Sequence, residues 1–113
     1  MRQLSGPELI ALHAATGAAA APLLLLDVRE AWEVALGAIR LVGAQTLHMP
    51  MNEVPTRLAE LDPAQPVVCI CHHGVRSAQV VAFLSRHGFD AAYNLDGGTD
   101  AWSDQVDPTL PRY

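Results

Sequence analysis

Residues 67–77 read Val-Val-Cys-Ile-Cys-His-His-Gly-Val-Arg-Ser, and they join an apolar run to a helical pattern through a six-residue loop from Cys71 to Arg76. A parallel strand that leads directly into a helix brings the loop's backbone N–H groups and the positive end of the helix dipole into one small space, which suits an anion. Cys71 is expected at the rim of that space. Because helix N-termini and a nearby arginine both favour the thiolate, the Cys71 thiol should have a pKa below the ordinary value of about 8.5. The stretch therefore predicts an activated sulfur nucleophile.

The length and composition of the chain limit the kinds of protein it can be. Its 113 residues fit one domain, 1–113, which would bury roughly two thirds of its unfolded surface and needs no disulfide or metal to hold a core. Half of the residues are apolar, 17% are charged, and the formal net charge is −5. Such a charge provides no general basic surface, so neither nucleic acid nor a membrane is expected as a partner. Any anion site must be local.

The cysteines and the apolar stretch 17–26 bear on the cellular compartment. Cys69 and Cys71 are held on the same side of an extended backbone and cannot form a disulfide framework, so a reducing, cytoplasmic location is expected. The apolar stretch is divided by Pro22 and is too short to span a bilayer. It also lacks the basic start of a signal peptide. We expect the end of a first helix and then a buried strand there.

Strand-like and helix-like patterns alternate along the whole chain. Ser5-Gly6-Pro7-Glu8 has the spacing of a capping box and predicts a helix over about 6–15 that ends near Gly17. The continuously apolar run 23–28 predicts a strand buried on both faces. The remaining predicted strands are a short edge strand at 3–4 and strands over 46–49, 67–71 and 92–95. The remaining predicted helices lie over 31–36, 53–61, 77–87 and 99–102, before an irregular tail over 103–113.

This alternation predicts an α/β domain. Its central sheet should be mostly parallel, with about five strands, right-handed crossovers and helices on both faces. In such sheets, ligands bind outside the carboxyl ends of the strands. Cys71 ends a strand, so the fold and the chemistry indicate the same edge of the sheet.

The loop residues have structural as well as functional interpretations. A free cysteine is often an ordinary buried residue, and this is the interpretation we adopt for Cys69, inside the strand. Cys71 ends the apolar run and precedes two histidines and a glycine, which favours a reactive thiol. Gly74 allows a tight turn and the close approach of a ligand. Arg76 lies where the helix dipole disfavours a cation, so it needs an anion; a bound oxyanion is favoured over a surface salt bridge.

The rings of His72 and His73 could orient hydrogen-bond donors, relay protons or simply be solvated. Adjacent residues in a tight loop rarely both face its centre, so their backbone N–H groups are expected to matter more than their rings. A zinc site made of the cysteines and histidines of 69–73 is disfavoured because no second ligand cluster exists, and we expect neither a metal nor a cofactor. The candidate catalytic residue is Cys71. The candidate substrate-binding residues are those of the loop after it, namely His72, His73, Gly74, Val75 and Arg76.

Four blocks of the chain resemble the rhodanese-like sulfurtransferase family. The blocks are residues 26–33 (Leu-Asp-Val-Arg-Glu-Ala-Trp-Glu), Gly43-Ala44 before Met49-Pro50, the active-site loop 71–77, and 94–102 (Asn-Leu-Asp-Gly-Gly-Thr-Asp-Ala-Trp). Their order and spacing are highly specific, although one block alone would be weak. Two departures occur: the connection 37–44 is longer and lacks the histidine usual in the family, and Thr99 stands where an apolar residue is usual. The active-site loop shows no departure.

The resemblance implies a rhodanese-type (thiosulfate) sulfurtransferase. Cys71 would take a sulfane sulfur from an anionic donor such as thiosulfate, or from a persulfide, and become a cysteine persulfide. It would then pass the outer sulfur to a thiophilic acceptor, such as cyanide, a small thiol or a protein thiol. Two half-reactions that share a covalent intermediate predict ping-pong kinetics. Asp27 and Arg29 are expected to pair and brace the strand end beside the loop.

Two alternatives remain open at the level of sequence. Cysteine phosphatases also place Cys and Arg in a loop between a strand and a helix, but with five intervening residues, whereas this chain has four, residues 72–75. The shorter loop suits a single transferred sulfur better than a phosphoryl group. The second alternative is a non-catalytic sulfur-carrier or protein-binding module, for which free thiosulfate would be a poor donor.

Overall fold

The computed structural model describes residues 2–16 and 22–113. Its strands are β1 (Arg2–Leu4), β2 (Leu24–Asp27), β3 (Gln45–His48), β4 (Val67–Ile70) and β5 (Ala92–Leu95). Its helices are α1 (Gly6–Thr16), α2 (Ala31–Leu36), α3 (Val75–Arg86) and α4 (Gly98–Gln105), with two 3₁₀ segments at Met51–Glu53 and Pro55–Glu60. The predicted alternation of strands and helices is confirmed.

The five strands form one parallel sheet in the order β1-β5-β4-β2-β3. In its register, Asp27 of β2 lies opposite Ile70 of β4, and Cys69 of β4 lies opposite Asn94 of β5. Since all strands run in the same direction, their carboxyl ends share one edge of the sheet. That edge holds the end of β2, the loop after β4 and the end of β5.

Both faces of the sheet are covered, as predicted. One face packs against α3 and the 3₁₀ segments in a cluster that includes Leu26, Cys69, Val81 and Leu84. The other face packs against α1 and α4 in a cluster that includes Leu9, Leu25, Val68 and Trp102. The strands β2 and β4 are buried along their whole length because each alternate side chain meets one of these two layers.

The beginning of α3 differs from the prediction. The helix starts at Val75, two residues before the predicted start at Ser77, and it is preceded by Gly74 with φ +95°. This left-handed conformation is one that glycine adopts without strain, so the chain turns into the helix at once. Val75 and Arg76 therefore belong to the first helical turn, and the loop proper is Cys71 to Gly74.

Two other predicted helices also differ from the structure. The predicted helix 53–61 is two 3₁₀ segments, because Pro55 has no N–H to continue a helix from Met51–Glu53. The last helix extends to Gln105 instead of ending at Trp102, since the buried Trp102 anchors it from the middle. The Ser5–Glu8 capping box is formed, with both reciprocal hydrogen bonds present. The predicted end of α1 near Gly17 lies outside the described residues.

Within residues 2–16 and 22–113, every helix is too short or too polar to cross a bilayer.

Candidate active site

The sulfur of Cys71 lies beneath the loop that follows β4. Its side chain is 1% exposed and belongs to the apolar cluster on the α3 side of the sheet. The prediction that Cys71 sits at the rim was therefore wrong. Cys71 follows Cys69 by two residues in an extended segment, so both side chains point to the same face, and the early start of α3 covers the second one.

Burial does not leave the Cys71 sulfur in an apolar environment. Its Sγ accepts hydrogen bonds from the backbone N–H of Gly74 at 3.1 Å and of Ser77 at 3.4 Å. The Ser77 hydroxyl lies 3.2 Å from the same sulfur. Donors that converge on a buried sulfur stabilise a negative charge there without having to reorganise during a reaction. The turn at Gly74 and the start of α3 therefore surround the Cys71 sulfur with hydrogen-bond donors.

Ser77 was not among the predicted site residues. It is fully buried, and its hydroxyl also contacts Asn94 Oδ1, so its single proton is shared between the sulfur and that amide oxygen. Asn94 in turn donates to the carbonyl of Gly74 at 3.0 Å. The end of β5 thus holds the turn that carries the sulfur's donors. A serine in the first turn of the helix that follows a cysteine loop is the signal that could have indicated this role.

The N-terminus of α4 supports the loop from the other side. The backbone N–H groups of Thr99 and Asp100 donate to the carbonyls of Cys71 and His72, at 2.9 and 3.1 Å. Gly98, with φ +61°, lies so close that an added Cβ would overlap both of these carbonyls. Thr99 is buried, in the place where the family usually has an apolar residue. The close approach requires glycine at position 98.

Arg76 forms a salt bridge with Glu33 of α2. The two terminal nitrogens of the guanidinium each lie 2.7 Å from one carboxylate oxygen, which is the bidentate arrangement. The position of Arg76 at a helix start favours a bound oxyanion over a salt bridge, whereas the structure shows the salt bridge. Donor binding by Arg76 stays a prediction, and Glu33 is the anion that this arginine has in the structure.

Glu33 is the centre of a polar network. Besides Arg76, its carboxylate accepts hydrogen bonds from the backbone N–H of Glu30 and the hydroxyl of Tyr113, each at 2.9 Å. The hydrogen bonds from Arg76 outweigh burial and lower the pKa of Glu33 from 4.5 to about 2. The carboxylate therefore stays ionised at neutral pH.

The Tyr113 hydroxyl links this network to a second ion pair. It accepts a hydrogen bond from Arg29 at 3.0 Å, and the buried Arg29 pairs with Asp27 at 2.7 Å. Burial opposes the charge of Arg29, but the hydrogen bonds of Asp27 and Tyr113 outweigh it and raise the pKa of the guanidinium. The expectation that Asp27 and Arg29 pair and brace the strand end is confirmed. No sequence pattern connected Tyr113 with either pair.

The rings of His72 and His73 contact other aromatic rings. The His72 ring stacks on Tyr113 with a centroid separation of 4.0 Å, and it also lies 3.9 Å from the exposed ring of His73. Burial, together with His73, lowers the pKa of His72, so its ring is uncharged at neutral pH. The Val75 side chain is 67% exposed. Binding of substrate by the backbone of His72, His73 and Val75 stays a prediction.

Cys69 and Cys71 are both free thiols, and Cys69 is a core residue with no exposed surface, as predicted. Within the described ranges, no three His, Cys, Asp or Glu side chains come together in a way that could hold a metal ion.

The Glu33–Arg76 pair should make stability depend on pH. The pKa of Glu33 is about 2 in the folded protein, below its ordinary value of 4.5. The pair therefore stabilises the folded state fully above pH 4.5, and this stabilisation is lost as the pH falls towards 2. We expect Glu33→Gln to lower the free energy of unfolding by about 2 kcal/mol at neutral pH, a value discounted because water reaches Arg76. The difference from the parent should shrink near pH 3. Urea unfolding of both proteins measures it, and an equal difference at both pH values would contradict the prediction.

Fold and site together define an α/β domain that carries a donor-lined cysteine in a strand-to-helix loop. The chain belongs to the rhodanese-like domain family, whose model matches residues 8–105. It is 38% identical over 86 residues to YtwF of Bacillus subtilis, covering 76% of this chain and 79% of that protein. It is 37% identical over 81 residues to a sulfurtransferase of Allochromatium vinosum, covering 72% of each.

A solved structure supports the same assignment. The rhodanese-like domain protein of Staphylococcus aureus superimposes with a TM-score of 0.75 at 31% identity, covering 94% of this chain and 95% of that one. The relative from Allochromatium vinosum, which is named a sulfurtransferase, supports a sulfurtransferase function for this chain.

Proposed function

We propose that the protein transfers sulfane sulfur through a persulfide on Cys71. The observation that carries this proposal is the convergence of three donor groups, from Gly74 and Ser77, on the Cys71 sulfur. Sulfur transfer needs a Cys71 sulfur that is stable as an anion when it attacks the donor and again when it leaves in the second step. Donors fixed by a glycine turn and a helix start provide that stability in both half-reactions.

Sulfur moves from the donor to Cys71 and from Cys71 to the acceptor in two steps. The Cys71 thiolate attacks the outer sulfur of thiosulfate or a persulfide, the donor's S–S bond breaks, and its electron pair leaves with sulfite or a thiolate. The product is a persulfide on Cys71. A nucleophilic acceptor, cyanide or a thiol, then attacks the outer sulfur, and Cys71 leaves as a thiolate. The donors of Gly74 and Ser77 face the Cys71 sulfur in both steps.

One experiment tests this function on the parent protein. After treatment with thiosulfate or an organic persulfide, intact-mass measurement should show one added sulfur atom, which is removed by cyanide or a thiol. Initial rates measured with varied donor and acceptor should give the parallel reciprocal plots of a ping-pong mechanism. Absence of the added sulfur with both donor classes, or a sulfur that no acceptor removes, would contradict the proposal.

A protein thiol is the acceptor that the surface favours. Trp32 is 63% exposed and lies edge-on to Tyr113, which stacks on His72, while Val75 is exposed in the first turn after the loop. Exposed apolar side chains beside a reactive loop are typical of a surface that meets another protein. Transfer to a protein thiol should therefore exceed transfer to cyanide at equal concentration, and competition between the two acceptors measures it.

A further inference from the structure

In the part of the chain that the structure describes, three arginines lie near the cysteine loop or the segments that contact it, and each is paired with a carboxylate. Arg76 pairs with Glu33, and Arg29 pairs with Asp27. The third arginine, Arg112, pairs with Asp100, which lies 4.0 Å from His73. The ring of His72 is uncharged at neutral pH. The cations around the site are thus already compensated before any donor arrives.

Glu33 cannot easily release Arg76 to a donor. Its carboxylate is 4% exposed and is held from two further sides by the N–H of Glu30 and the hydroxyl of Tyr113. If Arg76 turned away, a buried charge would remain without its partner, which is strongly unfavourable. A donor anion that approaches Arg76 therefore also approaches the carboxylate of Glu33.

The two donor classes place very different charge in this site. Thiosulfate carries two negative charges, so together with the Cys71 thiolate it places a total charge of −3 in the site. The products, a persulfide anion and sulfite, carry the same total charge. A protonated organic persulfide, RS–SH, is neutral at the reacting sulfurs. Together with the Cys71 thiolate it places a total charge of only −1 in the site. The thiolate attacks the outer sulfur, the S–S bond breaks, and RS⁻ leaves with the electron pair. The N-terminus of α3 contributes only about half a positive unit charge, which is small compared with the −3 of the thiosulfate reaction.

We infer that the site selects a protonated organic persulfide as its sulfur donor over the dianion thiosulfate, because Glu33 already neutralises Arg76. This inference rests on the proposed sulfur transfer and names its donor class. Glu33 is then a positioning residue that sets donor specificity by holding the arginine. Tyr113 acts with it, because the Tyr113 hydroxyl bonds the same carboxylate.

The sign of the salt effect tests the inference on the parent protein. In ping-pong kinetics, kcat/KM for a donor reports the first half-reaction alone. Raising KCl from about 20 to 200 mM screens repulsion, so kcat/KM for thiosulfate should rise about threefold. The matched control is the persulfide of 2-mercaptoethanol. Both donors are assayed at one acidic pH that lies below the pKa of the persulfide S–H, and kcat/KM for the persulfide should change less than about 1.5-fold. A fall with salt for thiosulfate would overturn the inference.

A variant pair provides a second test that is independent of salt. Glu33→Gln should raise the ratio of kcat/KM for thiosulfate to that for the persulfide by about tenfold. Glu60→Gln removes the same charge from an exposed pair with Arg57 and should leave the ratio unchanged. A ratio, unlike an absolute rate, is insensitive to the fraction of folded protein. An unchanged ratio in Glu33→Gln would overturn the inference, whereas failure of both donors to load the parent would overturn the proposed function instead.

Discussion

Cys71→Ser should abolish sulfur transfer, lowering kcat/KM by at least about a thousandfold, the scale of loss when an enzyme's nucleophile is removed. A serine hydroxyl remains protonated at neutral pH and cannot form a persulfide. Its oxygen can still accept the hydrogen bonds of Gly74 and Ser77, so the loop should keep its shape. Steady-state kinetics with saturating acceptor measure the rate, and intact mass measures the missing sulfur.

Cys69→Ala is the matched control for this substitution. Cys69 lies in the same strand two residues earlier, is fully buried, and has a pKa raised by that burial, so it is a neutral core residue. The variant should transfer sulfur like the parent and lose about 1 kcal/mol of stability through the small cavity. Sulfur that remains on Cys71→Ser and disappears from Cys69→Ala would show that the two thiols have been assigned the wrong way round.

Gly98→Ala should lower the free energy of unfolding by about 3 kcal/mol or more, the range of overpacking combined with backbone strain. Gly98 has φ +61°, and an added Cβ would overlap the carbonyl oxygens of Cys71 and His72. These backbone atoms cannot move aside without breaking the hydrogen bonds from Thr99 and Asp100. The loop and α4 would separate, so sulfur loading should fall along with stability. Urea unfolding monitored by tryptophan fluorescence measures the first effect.

Gly88→Ala separates backbone strain from crowding. Gly88 has a similar left-handed φ of +89°, but a Cβ there would meet no atom within 4 Å. Its substitution should therefore cost only the strain, about 1 kcal/mol, and leave sulfur loading unchanged. Equal destabilisation by the two substitutions would contradict the close approach at Gly98.

Much of the fold could be predicted because its signals are local. The helix α2 and the strand β5 have the predicted bounds, and the buried run after residue 22 became β2. The pairing of Asp27 with Arg29 was also predictable, since two residues in sequence place both side chains at one strand end. Patterns of this kind depend on neighbours in the chain and need no knowledge of sheet order.

The site was only partly predictable. Cys71 and Gly74 were identified, but the loop was expected to run to Arg76, and the left-handed turn at Gly74 ends it two residues earlier. This shorter loop buries the Cys71 sulfur and brings Ser77 against it. Where a helix begins is decided by the packing of its first turn as well as by its sequence, so the burial of Cys71 and the role of Ser77 were both missed.

By itself, the sequence determined that this chain is an α/β domain with a cysteine at the end of a central strand, because periodicity and turn residues act over a few positions. Only the tertiary structure decided which charges surround that cysteine. The carboxylate of Glu33 is bonded by two residues that are distant in sequence: Arg76 is 43 residues away, and Tyr113 is 80 residues away. They meet because β2 lies beside β4 in the sheet and the tail folds back over α2. No local pattern encodes that order, since it minimises the free energy of the whole packed chain.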